Sequence, residues 1–207
     1  IIDNWHAAGL RGSGSGGFAT DDIFVPSDFV WTMDDELQFP SKLHQLGLMG
    51  FVINEHPGLS LGVARRALDT VIEDAKLANS RFRGKSLAQR PVFQSALAQA
   101  ELRWRSGRAL IEDGLRRLWQ VVEGGGTPSD ALLAECRAMG THISKEMIDI
   151  TTIAFKYGGG RAIMEQNILQ RCLRDIHAVS QHFLTSEVAY ENYGQFLLAL
   201  PEANLRG

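Results

Sequence analysis

The polar residues best suited to chemistry are concentrated in one stretch near the end of the sequence. Six polar side chains follow Gln170, namely Arg171, Arg174, Asp175, His177, Gln181 and His182. One interpretation is a solvated helix face with an ion pair between Arg174 and Asp175, which adds little stability if it is exposed. The other is a cleft wall, where guanidinium and imidazole groups meet an anionic or redox-active ligand. On a helix, His182 would share a face with Asp175, whereas His177 would point elsewhere.

Two other kinds of site are disfavoured by residue spacing. Helical bundles that hold two metal ions use Glu-x-x-His pairs, and the six histidines of this sequence form none. No two histidines stand four residues apart, so we predict no metal site. The glycine-rich segment 12–17 could cradle an anion with backbone N–H groups, but it lacks a lysine. Because a strand rather than a helix is predicted to follow, a tight connection between strands is the preferred interpretation.

The composition excludes several classes of protein. Charged residues make up 22% of the chain and the formal net charge is -3, so we do not expect a nucleic-acid partner. No window reaches the roughly 18 apolar residues that cross a bilayer, so no membrane association is expected. The two cysteines, Cys136 and Cys172, lie inside helical patterns, which disfavours a disulfide framework. We therefore expect a cytoplasmic protein.

Helical periodicity dominates the sequence from about Leu43 onward. Apolar residues at steps of three or four form a stripe about nine turns long after Pro91, and triple glycines at 124–126 and 158–160 end two helices. Four long amphipathic helices predict a four-helix bundle. The predicted helices span 91–122, about 130–157, 61 to about 79 with an extra segment before Pro57, and 169–183 with a continuation over 188–200.

The first forty residues have a different character. Five glycines and two serines occur within 9–17, and 18–26 is predicted to be a short strand closed by Pro26. Two strands alone are marginal in water, so we expect the rest of their sheet to precede Ile1. The predicted fold class is all-α, a four-helix bundle over residues 41–207, preceded by a β remnant over 1–40 that ends a β-domain.

Three stretches together resemble the acyl-CoA dehydrogenase superfamily, especially its two-component flavin monooxygenase branch. Residues 5–15 (WHAAGLRGSGS) and 24–26 (FVP) are similar to the W-x-x-x-G-M/L-R-G-T/S-x-S and F-V-P runs that close the family's β-domain. Residues 62–69 (GVARRALD) are similar to G-x-A-x-x-A-L-D on the first helix of its C-terminal bundle. The 158–160 glycines followed by Arg174-Asp175 match the G-G and R-D order of its last helices. The resemblance covers essentially the whole chain.

This resemblance implies a particular larger enzyme. Members have an N-terminal helical domain, a β-domain and this bundle, bind a flavin (FAD or FMN) between the last two, and form homo-oligomers, usually tetramers. The first domain and most of the second are absent from these residues, so the chain alone is expected to be inactive.

The branch is indicated by departures from the dehydrogenase pattern. Dehydrogenases commonly carry a catalytic glutamate about nine residues after the arginine of R-D, where this sequence has Gln181, His182 and Phe183. Glu55 is an outside candidate for a glutamate on the first bundle helix. In the monooxygenase branch a histidine is expected beside the flavin after R-D, so the resemblance implies that His182 is the catalytic residue.

The flavin contacts implied by the resemblance are also altered. The R-x-x-F-G run is shifted by one position around Arg81 and Arg83, and Phe155 replaces a glutamine before the glycine pair. The residues implied to face the flavin are Arg81, Arg83, Gly158, Gly159 and Arg174.

Three functions remain open at this stage. The first is a monooxygenase that hydroxylates an aromatic or heterocyclic small molecule with O2 and reduced flavin from a partner reductase. The second is an FAD-dependent acyl-CoA dehydrogenase, and the third is a non-catalytic helical scaffold.

Overall fold

The helices account for most of the architecture. The structure is a computed structural model that describes residues 1–32, 41–77, 81–82 and 85–205. The helices are α1 (Gly47–Val52), α2 (Glu55–Leu77), α3 (Pro91–Glu123), α4 (Asp130–Gly158), α5 (Ile168–Val179) and α6 (Val188–Leu197). Between α2 and α3, β1 (Arg81–Phe82) pairs antiparallel with β2 (Lys85–Ser86). The all-α fold class is therefore confirmed, with this two-stranded ribbon as its regular β-structure in the described ranges.

Helix α4 lies at the centre of the bundle and packs against α2, α3, α5 and α6. Its fourteen buried residues are spread around the helix, as expected for a helix surrounded by others. The main core joins α4 to its neighbours through Leu68, Ile111, Ile143, Ile150 and Ile176. Burying a side chain of this size contributes about 1.5–3 kcal/mol, so this shared core is the main source of cohesion.

The sequence signals at the helix ends are confirmed for α3 and α4. Pro91 is the first residue of α3, where its missing N–H costs least. Ser129 caps α4, because its Oγ accepts a hydrogen bond from the Leu132 N–H at 3.3 Å. The extra segment expected before Pro57 is α1 together with the first turn of α2.

The fourth predicted helix, over 169–183 with a continuation over 188–200, is wrong in where its first part ends. Helix α5 ends at Val179, and a 3-10 turn over Phe183–Thr185 separates it from α6. Side-chain bonds to the backbone replace helical bonds here, since the Thr185 hydroxyl donates to the carbonyls of Ser180 and His182. His182 therefore does not share a helix face with Asp175, contrary to the sequence-based expectation.

The strand predicted over residues 18–26 is not formed in the described part of the chain. A strand needs a neighbour to complete its ladder, and none of the described segments supplies one to these residues. The glycine-rich segment nevertheless closes a loop, because the Ile2 N–H donates to the Gly17 carbonyl at 2.7 Å.

The N-terminal segment is fastened to α5 by the Arg174-Asp175 pair. The Arg174 Nη1 donates to the Ala8 carbonyl at 2.8 Å, and the Asp175 Oδ1 accepts from the Leu10 N–H at 2.7 Å. Gly9 lies between these two bonds with its Cα against the α5 backbone, where an added Cβ would stand 2.1 Å from the Arg174 carbonyl oxygen. The predicted ion pair between Arg174 and Asp175 is replaced by one from Arg171 to Asp175, at 3.4 Å.

We predict that Gly9→Ala detaches residues 5–10 from α5. The new methyl group cannot fit against the backbone, and overpacking of this kind costs about 1–3 kcal/mol. Thermal unfolding would show the loss of stability, and the fluorescence of Trp5, whose indole N–H donates to the Leu10 carbonyl, would report the detachment.

Gly12→Ala is the matched control, because a Cβ at Gly12 meets nothing within 4 Å. Equal stability of the two variants would contradict the close approach at Gly9.

Candidate functional site

Two histidine rings stack where the start of α2 meets the turn after α5. The ring centroids of His56 and His182 are 4.1 Å apart, with 27° between the ring planes. His56 lies in the first turn of α2, and His182 immediately precedes the 3-10 turn. The structure thus adds a second imidazole to the one predicted from sequence. His56 was considered in the sequence only as a possible metal ligand, and its proximity to His182 has no local sequence signal.

His182 is held by its own backbone neighbourhood. Its Nδ1 accepts a hydrogen bond from the Leu184 N–H at 3.3 Å, which caps the 3-10 turn. The Phe183 ring lies 4.7 Å from the His182 ring, tilted by 36°. The residue is exposed, so its ring can meet a ligand while its Nδ1 edge is engaged by the protein.

His56 is partly buried and electrostatically disfavoured as a cation. Its pKa is lowered, first by burial and then by the neighbouring His182, while the exposed Glu55 opposes both. The His56 Nδ1 is buried and has no hydrogen-bond partner among the described residues. Glu55, the outside candidate for a base, is therefore a neighbour of the histidine pair.

Arg137 secures the turn that carries His182. Only 8% of this α4 residue is exposed, and its guanidinium donates to the Leu205 carbonyl at 3.1 Å and the Phe183 carbonyl at 3.4 Å. Burial lowers the pKa of Arg137. The Arg137 Nε is buried without a partner in the described ranges, and Arg137 and His56 line the same cavity of about 10 Å³.

Arg174, one of the residues predicted to face a flavin, lines a cleft that does not include His182. Arg174 donates to Ala8 and to the Gln170 Oε1 at 2.9 Å, and it lines a cleft of about 590 Å³ between residues 5–10 and α5. The lining of that cleft includes His177 but not His182. The role of Arg174 toward flavin stays a prediction.

The remaining flavin predictions fall on helix ends and outside the described residues. Gly158 ends α4 where a Cβ would lie 2.4 Å from the Leu169 Cδ1, and Gly159 has a φ of +61°. Both glycines therefore have a backbone reason to be glycine, and their contact with flavin stays a prediction. The side chain of Arg81 and the whole of Arg83 lie outside the described residues.

A ligand-sized cleft is lined in part by Glu55. Its volume is about 420 Å³, within the usual range for small-molecule sites, and apolar side chains including Phe51, Leu115 and Trp119 line it with Glu55. Among the described residues, no group of three His, Cys, Asp or Glu side chains could hold a metal ion. No helix in the same ranges has the length and apolar character needed to cross a membrane.

Comparison with known proteins places the chain in one family. The sequence model described as "Acyl-CoA dehydrogenase, C-terminal domain" matches residues 56–187. The chain is 28% identical to indole-3-acetate monooxygenase of Pseudomonas putida over 195 residues, covering 94% of the chain and 50% of that relative. It is 26% identical to a pigment production hydroxylase of a Rhodococcus species, covering 97% and 54%. The chain thus spans about half the length of the curated relatives it matches.

Solved structures show the same fold. The 3-HSA hydroxylase of Rhodococcus sp. RHA1 superposes with a TM-score of 0.85 at 22% identity, over 97% of this chain and 54% of that one. Butyryl-CoA dehydrogenase of Megasphaera elsdenii superposes with a TM-score of 0.60 at 23% identity, over 74% and 37%. The fold is therefore shared by monooxygenase and dehydrogenase structures.

We predict that His56 makes the stability of the protein depend on pH. An unfolded chain protonates His56 near its ordinary pKa of about 6.5, whereas the folded chain resists protonation. The unfolded state therefore binds more protons as the pH falls below about 6.5, and the free energy of unfolding decreases. His56→Phe should reduce the loss of Tm between about pH 7.5 and about pH 5.5.

His177→Phe is the control, because His177 is exposed on α5 and should leave the wild-type dependence in place. A His56→Phe protein with the full wild-type dependence on pH would contradict this assignment.

Proposed function

The chain belongs to the acyl-CoA dehydrogenase C-terminal domain family, and we propose that it forms part of the oxygenase component of a two-component flavin-dependent monooxygenase. The observation that carries this proposal is the imidazole of His182, which is held in place while its ring stays exposed. A dehydrogenase of this family would need a carboxylate base near that position, and Gln181 and Phe183 flank the histidine instead. The curated relatives named monooxygenase or hydroxylase support the same conclusion.

The donor groups of the site fit a flavin. The His182 Nε2 has no partner among the described residues, and the exposed His182 ring presents planar aromatic surface. The isoalloxazine ring is planar and rich in hydrogen-bond acceptors, so an imidazole N–H beside it is a suitable contact. When bound, reduced flavin would supply the electrons that activate O2. Solved structures of the same fold include a complex with FADH2 and a complex with FMN, and the proposal covers both flavins.

The residues of this chain would orient the flavin or the substrate and donate a hydrogen bond to it. His182 would hydrogen-bond to the flavin or to the substrate through Nε2, with Phe183 and His56 fixing the ring. Arg137 would hold the Phe183 carbonyl, and would thereby fix the position of the adjacent His182 relative to α4. The substrate we propose is an aromatic or heterocyclic small molecule, which suits the apolar cleft beside Glu55.

The surroundings of the site belong to the same proposal. We assign residues 1–40 to the end of a β-domain and 41–207 to the helical domain, in a homo-oligomer that receives reduced flavin from a reductase. Exposed aromatic side chains at Phe18, Phe24, Phe29 and Trp31 support this division, since they offer apolar surface for another domain to cover. The free, buried thiols of Cys136 and Cys172 support a cytoplasmic location.

We predict that His182→Asn lowers the rate of substrate hydroxylation by the full-length enzyme about 100-fold, the usual cost of removing one well-placed donor. Asparagine can still cap the 3-10 turn, so the fold is retained while the imidazole is lost. The measurement is NADH and O2 consumption coupled to product formation in the presence of a flavin reductase. His177→Asn should keep the wild-type rate, because His177 lines a different cleft.

Two outcomes would overturn the proposal. One is an undiminished hydroxylation rate in His182→Asn. The other is bleaching of bound FAD by acyl-CoA under anaerobic conditions without any need for a reductase, which would identify an acyl-CoA dehydrogenase.

A further inference from the structure

The stacked histidines differ in how the protein satisfies their ring nitrogens. The Leu184 N–H donates to the His182 Nδ1 at 3.3 Å. A ring nitrogen accepts a hydrogen bond only when it carries no proton, so the single proton of a neutral His182 must reside on Nε2. Protonation of Nδ1 would break the cap of the 3-10 turn. The backbone of Leu184 thus selects one tautomer of His182.

We propose that His56 is a positioning residue for His182. By stacking on the His182 ring, His56 holds it in the orientation in which Nδ1 accepts from the Leu184 N–H and the proton of the ring lies on Nε2. His182 then offers its Nε2–H as a hydrogen-bond donor to the group that binds beside it. The inference rests on the proposed function only for the identity of that group, which is the flavin or the substrate. His56 itself touches neither in this assignment.

Stacking on His56 restrains rotation of the His182 ring, which the single hydrogen bond from the Leu184 N–H does not do by itself. Rotation of the His182 ring about its last side-chain torsion would turn Nδ1 away from Leu184, and that torsion is broad for imidazoles. The His56 ring stacks on the His182 ring at a centroid distance of 4.1 Å, and the Phe183 ring lies 4.7 Å from the His182 ring. Aromatic pairs of this kind are enough to favour one ring orientation about three- to tenfold.

The surroundings of the stack favour a neutral His56 ring. Glu55 on α2 acts electrostatically on His56, and Arg137 on α4 lines the same cavity as His56. His56 is partly buried and its pKa is lowered, so it stays uncharged near neutral pH in spite of Glu55. A second positive charge at 4.1 Å from a protonated ring would be repelled, which disfavours the doubly charged pair.

His56 has its own means of staying in place. Its Nδ1 and the Arg137 Nε are buried, lack partners among the described residues, and belong to residues that line one cavity of about 10 Å³. A cavity of that size holds about one water molecule. A water there could accept from the Arg137 N–H and donate to the His56 Nδ1, which would link the stack to the buried guanidinium.

The test is the tautomer of His182, read from its ring nitrogens by NMR of the protein labelled with 15N-histidine. Among the signals of the six histidines, those of His182 and His56 are assigned by their loss in His182→Asn and in His56→Phe, respectively. In the wild-type protein we expect the Nε2–H form. In His56→Ala we expect the ratio of Nε2–H to Nδ1–H forms to fall about three- to tenfold. His56→Phe, which keeps a flat ring in the stack, should restore the wild-type ratio.

The outcomes separate this inference from the proposed function. A His182 tautomer that is unchanged in His56→Ala, or one that is not restored in His56→Phe, would overturn the role of His56 even if the enzyme hydroxylates its substrate. If the tautomer responds as expected but the full-length enzyme shows no reductase-dependent hydroxylation, the proposed function fails and the positioning role stands. The NMR measurement needs neither flavin nor substrate.

Discussion

The candidate site depends on a buried cation that donates to backbone groups. Arg137 reaches from α4 to the carbonyls of Phe183 and Leu205, and within the described ranges no carboxylate pairs with it. A charged guanidinium loses much hydration when it is buried, so its bonds to carbonyl oxygens must compensate, and charge-assisted bonds are the strong ones. Because these partners lie in the turn after α5 and near the end of the described chain, one side chain holds both against α4.

This constraint explains why the chain can leave the helix at Val179 without losing its packing. The turn over 180–186 is stabilised by hydroxyl and imidazole groups that bond to nearby backbone, and Arg137 anchors it to the bundle. His182 is thereby projected from a short, well-bonded turn and not from a helix face. A group on such a turn can be exposed and yet restricted, which is the combination that binding and catalysis require.

The part of α5 that precedes this turn has a structural role. Arg174 and Asp175, which first suggested an ion pair or a flavin contact, bond to the Ala8 carbonyl and the Leu10 N–H. Two of the three motifs that carry the family resemblance, at the start of the chain and on α5, therefore meet directly. Their joint occurrence has a physical reason, since the glycine between the two bonds is needed for the close approach of the two backbones.

The sequence by itself determined the features that rest on local rules. The proline at the start of α3 and the triple glycines at the ends of α3 and α4 placed these helices, and the spacing of apolar residues identified the bundle. The family motifs pointed to His182. Only the tertiary structure decided that residues 18–26 form no ladder with the rest of the described chain, that α5 stops at Val179, and that the His56 ring stacks on His182. These features depend on partners far away in the chain, and local periodicity carries no information about which distant groups will meet.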